Sequence, residues 1–148
     1  MRGLSGNTGR LKIEVLSSNP IPHEPLLVYQ MSGGSGSSAL LEILMVYDDG
    51  SVTFVRQVDV GPAKVRRAVL GARTVQLVAA LGRAGAMRLA DHGARTADAP
   101  MTTVTAFSYA PKSGRPSVNT FSYYAPQGAY AQIDDAIHAF LTDAFGSY

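Results

Sequence analysis

The chain has 148 residues, enough for one domain with a real core, and 46% of them are apolar against 16% charged, which excludes a disordered tail and a heavily solvated surface. A net charge of +2 is too small to argue for nucleic acid. Cysteine is absent, so disulfides, thiolate nucleophiles and cysteine-based zinc sites fall away together.

Residues 1–25 read as an extended N-terminal arm. Met1 to Lys12 carries Arg2, Arg10 and Lys12 with no acid, yet it lacks the apolar segment of a secretory signal, so a flexible terminus is expected. Lys12 to Leu16 alternates well enough for a short strand, and Pro20, Pro22 and Pro25 then make an extended connector. No run approaches the roughly 18 apolar residues that span a bilayer. A soluble chain is expected, in a compartment the residues do not specify.

Residues 26–148 read as a single α+β domain. Strands are predicted near 26–31, 40–47 and 51–58, the first two separated by the glycine-rich stretch Ser32-Gly33-Gly34-Ser35-Gly36-Ser37-Ser38. In the second strand Leu41, Ile43, Met45 and Tyr47 share one face while Leu40, Glu42, Leu44 and Val46 share the other, which suits a central strand. Asp49-Gly50 between apolar runs signals a two-residue hairpin turn, because such turns need the positive φ that Gly and Asp tolerate. Gly61 to Gly71 reads as a basic connector. A helix is predicted near 73–84 from the spacing of Leu77, Ala80, Leu81 and Ala84, with Thr74 as its cap and Gly82 or Gly85 as its end. A second hairpin follows, with strands near 101–109 and 117–124 around a turn containing Lys112 and Arg115. A closing helix near 130–145 carries Ile133, Ile137, Phe140, Leu141 and Ala144 on one face, with Gly146 at its end. The plan is an antiparallel sheet of two hairpins with two helices packed on one face.

Gly34 to Ala39 fits Gly-x-Gly-x-x-Ala after a strand, the looser dinucleotide fingerprint. That chemistry needs a helix N-terminus directly after the loop. Here Asp48 follows Ala39 by nine positions and another strand comes next, so no crossover unit fits and no cofactor is expected. Neither a phosphate-binding P-loop nor a hydrolase nucleophile elbow is present.

His23, His92 and His138 are the only histidines. His138 lies four residues after Asp134, a spacing compatible with a metal or acid–base pair. Both lie off the Ile133–Ile137–Leu141 stripe, so they read as a solvated polar face. No catalytic or metal-ligating residue is assigned.

All thirteen Lys and Arg fall within residues 1–116. Lys64, Arg66, Arg67 and Arg73 form a candidate contact patch for an acidic partner or phosphate, against the plainer reading of a solvated loop and helix start. Phe107, Tyr109, Phe121, Tyr123, Tyr124 and Tyr130 gather around the second hairpin. The strands there carry no interleaved cations, so core packing explains the aromatics better than stacking on bases, and no nucleic-acid partner is expected.

Ser32-Gly33-Gly34 at the end of a strand, Leu41-Glu42-Ile43, Asp49-Gly50-Ser51-Val52, a helix around Leu77 to Leu81, Asp98 before a hairpin and a closing helix together resemble the emfourin-like family over about residues 26–145. That resemblance implies a small protein inhibitor of thermolysin-like metalloproteases. Residues 1–25 extend beyond that pattern, and the 110–116 turn adds two prolines. The function expected is non-catalytic protein binding, with the Ser32 to Ser38 loop as the protruding segment. The alternative is an accessory subunit of a larger assembly, membrane-bound assemblies included, with the arm lying on a neighbour.

Overall fold

The computed structural model describes residues 24–35, 38–94, 99–109 and 116–146. The elements in chain order are β1 (Pro25–Ser35), β2 (Ser38–Tyr47), β3 (Ser51–Val58), β4 (Lys64–Val69), α1 (Gly71–Arg83), β5 (Met101–Tyr109), β6 (Pro116–Tyr123) and α2 (Ala129–Phe145). The fold is α+β, with one antiparallel sheet of six strands in the order β4-β3-β2-β1-β5-β6. The arm up to residue 23, including the strand expected at 12–16, lies outside the described residues, as does the 110–115 turn.

Side chains alternate across a pleated sheet, so the strand register sorts every residue onto one of two faces. On the first face three rows cross all six strands. Ala68, Val52, Val46, Leu27, Ala106 and Asn119 form one; Arg66, Phe54, Leu44, Tyr29, Val104 and Phe121 form the next. The third row is Lys64, Arg56, Glu42, Met31, Thr102 and Tyr123. In the first two rows Leu27, Tyr29, Leu44, Val46, Val52, Phe54, Val104 and Phe121 are almost wholly buried.

Helix α2 covers this face. Its Ile133, Ile137, Phe140 and Leu141 join the buried cluster, Phe145 stacks on Phe54 at 5.9 Å, and Tyr130 meets Phe121 edge-on at 5.9 Å. Helix α1 contributes Leu77 and Leu81 to the same cluster. Burying each such large apolar side chain is worth about 1.5–3 kcal/mol, so the α2 stripe is the main source of its attachment.

Four expectations change. The basic stretch expected as a connector is strand β4, paired with β3 from Ser51↔Val69 to Arg56↔Lys64. The sheet is therefore a four-stranded meander joined to the β5–β6 hairpin, rather than two hairpins. The glycine stretch is not a loop: β1 and β2 continue pairing through Gly33↔Leu40 and Gly34↔Ala39 to Ser35↔Ser38. Only the tip at Gly36 and Ser37 lies outside the described residues. Helix α1 begins at Gly71 with Leu70 as N-cap, so Thr74 sits inside the first turn, where its hydroxyl donates to the Gly71 carbonyl at 2.8 Å.

The β2–β3 connection is a three-residue loop. The Gly50 N–H donates to the Tyr47 carbonyl at 3.1 Å and only Gly50 takes positive φ, at 85°. Asp49 instead accepts from the Ser51 N–H at 2.9 Å and hydroxyl at 2.6 Å, an Asx arrangement that keeps its own φ negative. The end of α1 is a Schellman motif: the Ala86 N–H reaches the Leu81 carbonyl at 3.0 Å and the Gly85 N–H the Gly82 carbonyl at 3.0 Å. Ala86 and Leu81 are both buried, which supplies the apolar contact that accompanies this motif.

Gly33 has a packing reason. A Cβ there would lie 2.6 Å from the Pro100 Cβ and 2.8 Å from its Cα, so the segment entering β5 approaches β1 closely enough to exclude any side chain. Gly33→Ala is expected to lower stability by about 1–3 kcal/mol, the usual cost of forced overpacking. Gly82→Ala in α1, where a Cβ would meet nothing within 4 Å, is expected to raise it by about 0.5–1 kcal/mol. Thermal denaturation of the two variants checks the opposite signs.

Candidate functional site

The third row of the first face is polar where the first two are apolar. Glu42 is only 3% exposed. It is held by the Tyr29 hydroxyl, which donates to Oε1 at 3.2 Å, and by the Arg56 guanidinium, whose Nε donates to Oε2 at 3.1 Å. Both carboxylate oxygens thus have a partner, as a buried charge requires. Tyr29 is fully buried apart from this hydroxyl contact, in a central strand where water cannot reach it.

Helix α2 adds a second polar pair at the same end. The Tyr123 hydroxyl donates to Asp134 Oδ1 at 2.8 Å, and His138 Nδ1 lies 3.2 Å from Asp134 Oδ2 and 2.8 Å from the Asp134 carbonyl. The His138 ring meets Tyr29 edge-on at 6.1 Å. The solvated face expected from the sequence is only partly so: the His138 side chain is 40% exposed but that of Asp134 only 21%. They flank the apolar stripe at three-residue spacing from Ile137 and Leu141, which turns them toward the sheet margin. Among the described residues no three His, Asp or Glu side chains come together to hold a metal ion.

The hydrogen bond to Asp134 raises the His138 imidazole above its usual value, against the opposing effect of burial, and the Glu42 charge adds to the rise. Burial pushes the Asp134 carboxyl up, but the hydrogen bonds from His138 and Tyr123 outweigh it and leave the group below its usual value. Burial, then the bond to Asp134, push the Tyr123 hydroxyl well up. Tyr123 therefore stays protonated and acts as a donor.

The four cations of the candidate contact patch do not form one surface. Arg66 and Lys64 point to the first face, Arg67 to the second, and Arg73 belongs to α1. Two of them hold the end of α2: Arg66 Nη1 donates to the Phe145 carbonyl at 2.9 Å and Arg73 Nη1 to the Asp143 carbonyl at 2.7 Å. Helix α2 has no basic residue in its last turn, so strand β4 and helix α1 supply the positive charge that its carbonyl end favours.

Among the described residues, α2 meets the sheet on its first face. Every sheet residue that α2 is seen to touch belongs to the first face. Val65, Val55, Ile43, Gln30, Thr103 and Ser122 make one row of the second face, and Arg67, Thr53, Met45, Val28, Thr105 and Thr120 the next. The β1 to β4 half is mostly apolar, interrupted by Gln30, Thr53 and Arg67. The β5–β6 half is a hydroxyl ladder, with Thr103 and Ser122 at 2.8 Å and Thr105 and Thr120 at 3.0 Å. Val69, Val118 and Val65 on this face are 76%, 52% and 44% exposed. Arg67 is the single charged residue among the described strand positions here. The glycine stretch expected as a binding loop is the end of the β1–β2 hairpin: it runs past the last β3 pair, Leu40↔Val58, and the last β5 pair, Ser32↔Met101.

Glu42 and the second face were missed at the sequence level. The signal was present in β2, where one acid interrupts a strand apolar on both faces. No protein-family model matches the chain, and a search of curated proteins finds no match. Among the described residues no helix is long and apolar enough to cross a membrane.

Two predictions follow from the geometry of the polar row. Arg56→Met leaves a buried carboxylate short of its ion-pair partner and is expected to cost about 3–5 kcal/mol. Glu42→Gln keeps the acceptor for Tyr29 and releases a half-exposed arginine, and is expected to cost about 1–2 kcal/mol; denaturant unfolding checks this order. His138 binds its proton more tightly folded than unfolded. Its stabilisation is therefore complete below the unfolded value of 6.5 and is lost as pH rises through the higher folded value. The melting-temperature difference between wild type and His138→Gln should thus be larger near pH 6 than near pH 9. Asp134 acts in the opposite sense: its contribution is present above 3.8 and fades as pH falls through its lower folded value.

Proposed function

We propose that this chain works by binding another protein, without catalysis, and that the second face of the sheet, left open, is the surface that does so. The observation that carries the reading is that face: a broad sheet surface, mostly apolar over four strands, with one charge. Both helices are read as packed on the other side, so they brace the sheet and leave this side for a partner. Six strands at about 4.8 Å spacing, with about eight residues each at about 3.3 Å rise, give a face of about 750 Å2. A standard protein interface takes about 800 Å2 from each partner. With Arg67 as its only charge, the face suits an uncharged, apolar protein surface rather than an acidic one.

The emfourin-like resemblance makes a thermolysin-like metalloprotease the first partner to test. In that reading the β1–β2 hairpin end, which projects past its neighbours, enters the protease cleft while the sheet face supports it. The second reading, an accessory subunit of a larger assembly, is favoured by the breadth of the face, since subunit contacts are wide and apolar.

Ile43→Lys combined with Val65→Glu places two charges on the open face without touching the core. The double variant is expected to keep its fold by circular dichroism and to weaken partner binding by about tenfold or more, as loss of a central apolar contact does. Inhibition of a thermolysin-like enzyme in the nanomolar range, relieved by the same variant, supports the inhibitor. Full protease activity at micromolar protein sinks the inhibitor and leaves the subunit reading to a stoichiometric complex in native extracts. Self-association abolished by the variant would replace the foreign partner with a second copy and overturn the proposal.

A further inference from the structure

We propose that the corner between β3, β4 and the C-terminal end of α2 binds a phosphate group, as inorganic phosphate or a phosphate monoester. A cavity of about 50 Å3 lies there, lined by Phe54, Arg56, Lys64 and Arg66. Arg56 stands directly across from Lys64 and Phe54 across from Arg66, so three cations share one patch of one face. Like charges placed opposite each other on a strand pair repel, and among the described residues only Glu42 offsets them, on Arg56. The carbonyl end of α2 draws on Arg66, and the positive charge that remains favours an anion such as phosphate.

Two of the cations are fixed in place. The Arg56 guanidinium is pinned through Nε by the buried Glu42, and the Arg66 guanidinium through Nη1 by the Phe145 carbonyl. A guanidinium has five N–H donors in a rigid fork, so each keeps several free for an oxyanion, and such forks match phosphate geometry. Lys64 has no hydrogen-bond or ion-pair partner among the described residues. Phe54, stacked on Phe145, gives the cavity an apolar floor that strengthens electrostatic attraction above it. The cavity is small and open to solvent, large enough for a compact oxyanion to reach the cations that line it. Cations on an edge strand also hinder pairing with another chain, but that role asks only for charge. It does not require two guanidinium groups pinned around a shared cavity.

The test is amide chemical-shift titration of the whole chain with sodium phosphate and, separately, with glycerol phosphate, at neutral pH and constant ionic strength held by chloride. Saturable shifts centred on Phe54, Lys64 and Arg66 are expected in both arms. Saturation in the first arm alone marks a site for the free anion, and in the second alone a site for the ester; each supports the proposal. Lys64→Gln, which removes a cation with no partner among the described residues, should weaken binding by about tenfold, or about 1.4 kcal/mol, with the melting temperature in chloride unchanged. Shifts that grow linearly without saturating, or Lys64→Gln binding phosphate as well as wild type, overturn it.

Discussion

The pairing of β1 with β5 is the constraint on which the rest of the structure depends. β1 is joined to β2 by a tight local hairpin, but its other edge is closed by a strand that arrives only after β3, β4 and α1. That long-range pairing, from Leu27↔Ala106 to Ser32↔Met101, joins the meander and the second hairpin into one sheet. It also carries the three rows of the first face across unbroken. A slip of one residue would turn Leu27 and Tyr29 to the second face and bring Val28 and Gln30 into the core. Gly33 helps prevent it, because Pro100 fits against β1 only where there is no side chain.

The polar row contributes to specification more than to stability. Removing a carboxylate from water costs several kcal/mol even after relaxation. The bonds from Tyr29 and Arg56 return about 1.5–3 kcal/mol each, so the sum lies near zero. What Glu42 does provide is a penalty for any arrangement in which its two partners are elsewhere. Tyr29, diagonal to it on β1, and Arg56, directly across on β3, both reach it in the native register. The Asp134–Tyr123 bond acts similarly between α2 and β6. The polar row thus fixes how strands and helix meet, while Phe54, Phe121, Ile133 and Ile137 provide the driving force.

Most of the elements were legible because periodicity follows burial. β3 and β5 match their predicted ranges, and both helices lie within two residues of theirs. β4 was not legible for a physical reason: its first-face positions are Lys64, Arg66 and Ala68, and only the last is apolar. An edge strand with cations where apolar residues should alternate looks like a connector. The glycine stretch misled for the converse reason. Glycine disfavours strands on average, but here the close approach of Pro100 requires it. Asp134 and His138 looked solvated because a helical stripe defines only its centre. Residues on its flank are placed by what they meet, and the tyrosine they meet lies on another strand. The second face could not be read at all, since alternating apolar residues look alike whether or not anything covers them.

The attachment of α2 by distant cations has a consequence for how the chain is made. Arg66, Arg73, Phe54 and Tyr29 leave the ribosome well before the helix they hold. During that interval the strands are present while the first face still lacks α2, so its apolar rows are exposed. Such intermediates are prone to associate, and the long-range closure of β1 on β5 slows folding further. The β4 edge, where Lys64, Val65, Arg66 and Arg67 are all exposed, is then a charged border on a nascent sheet that would otherwise recruit neighbouring chains. For this molecule the risk is biosynthetic, and the docking of α2 ends it.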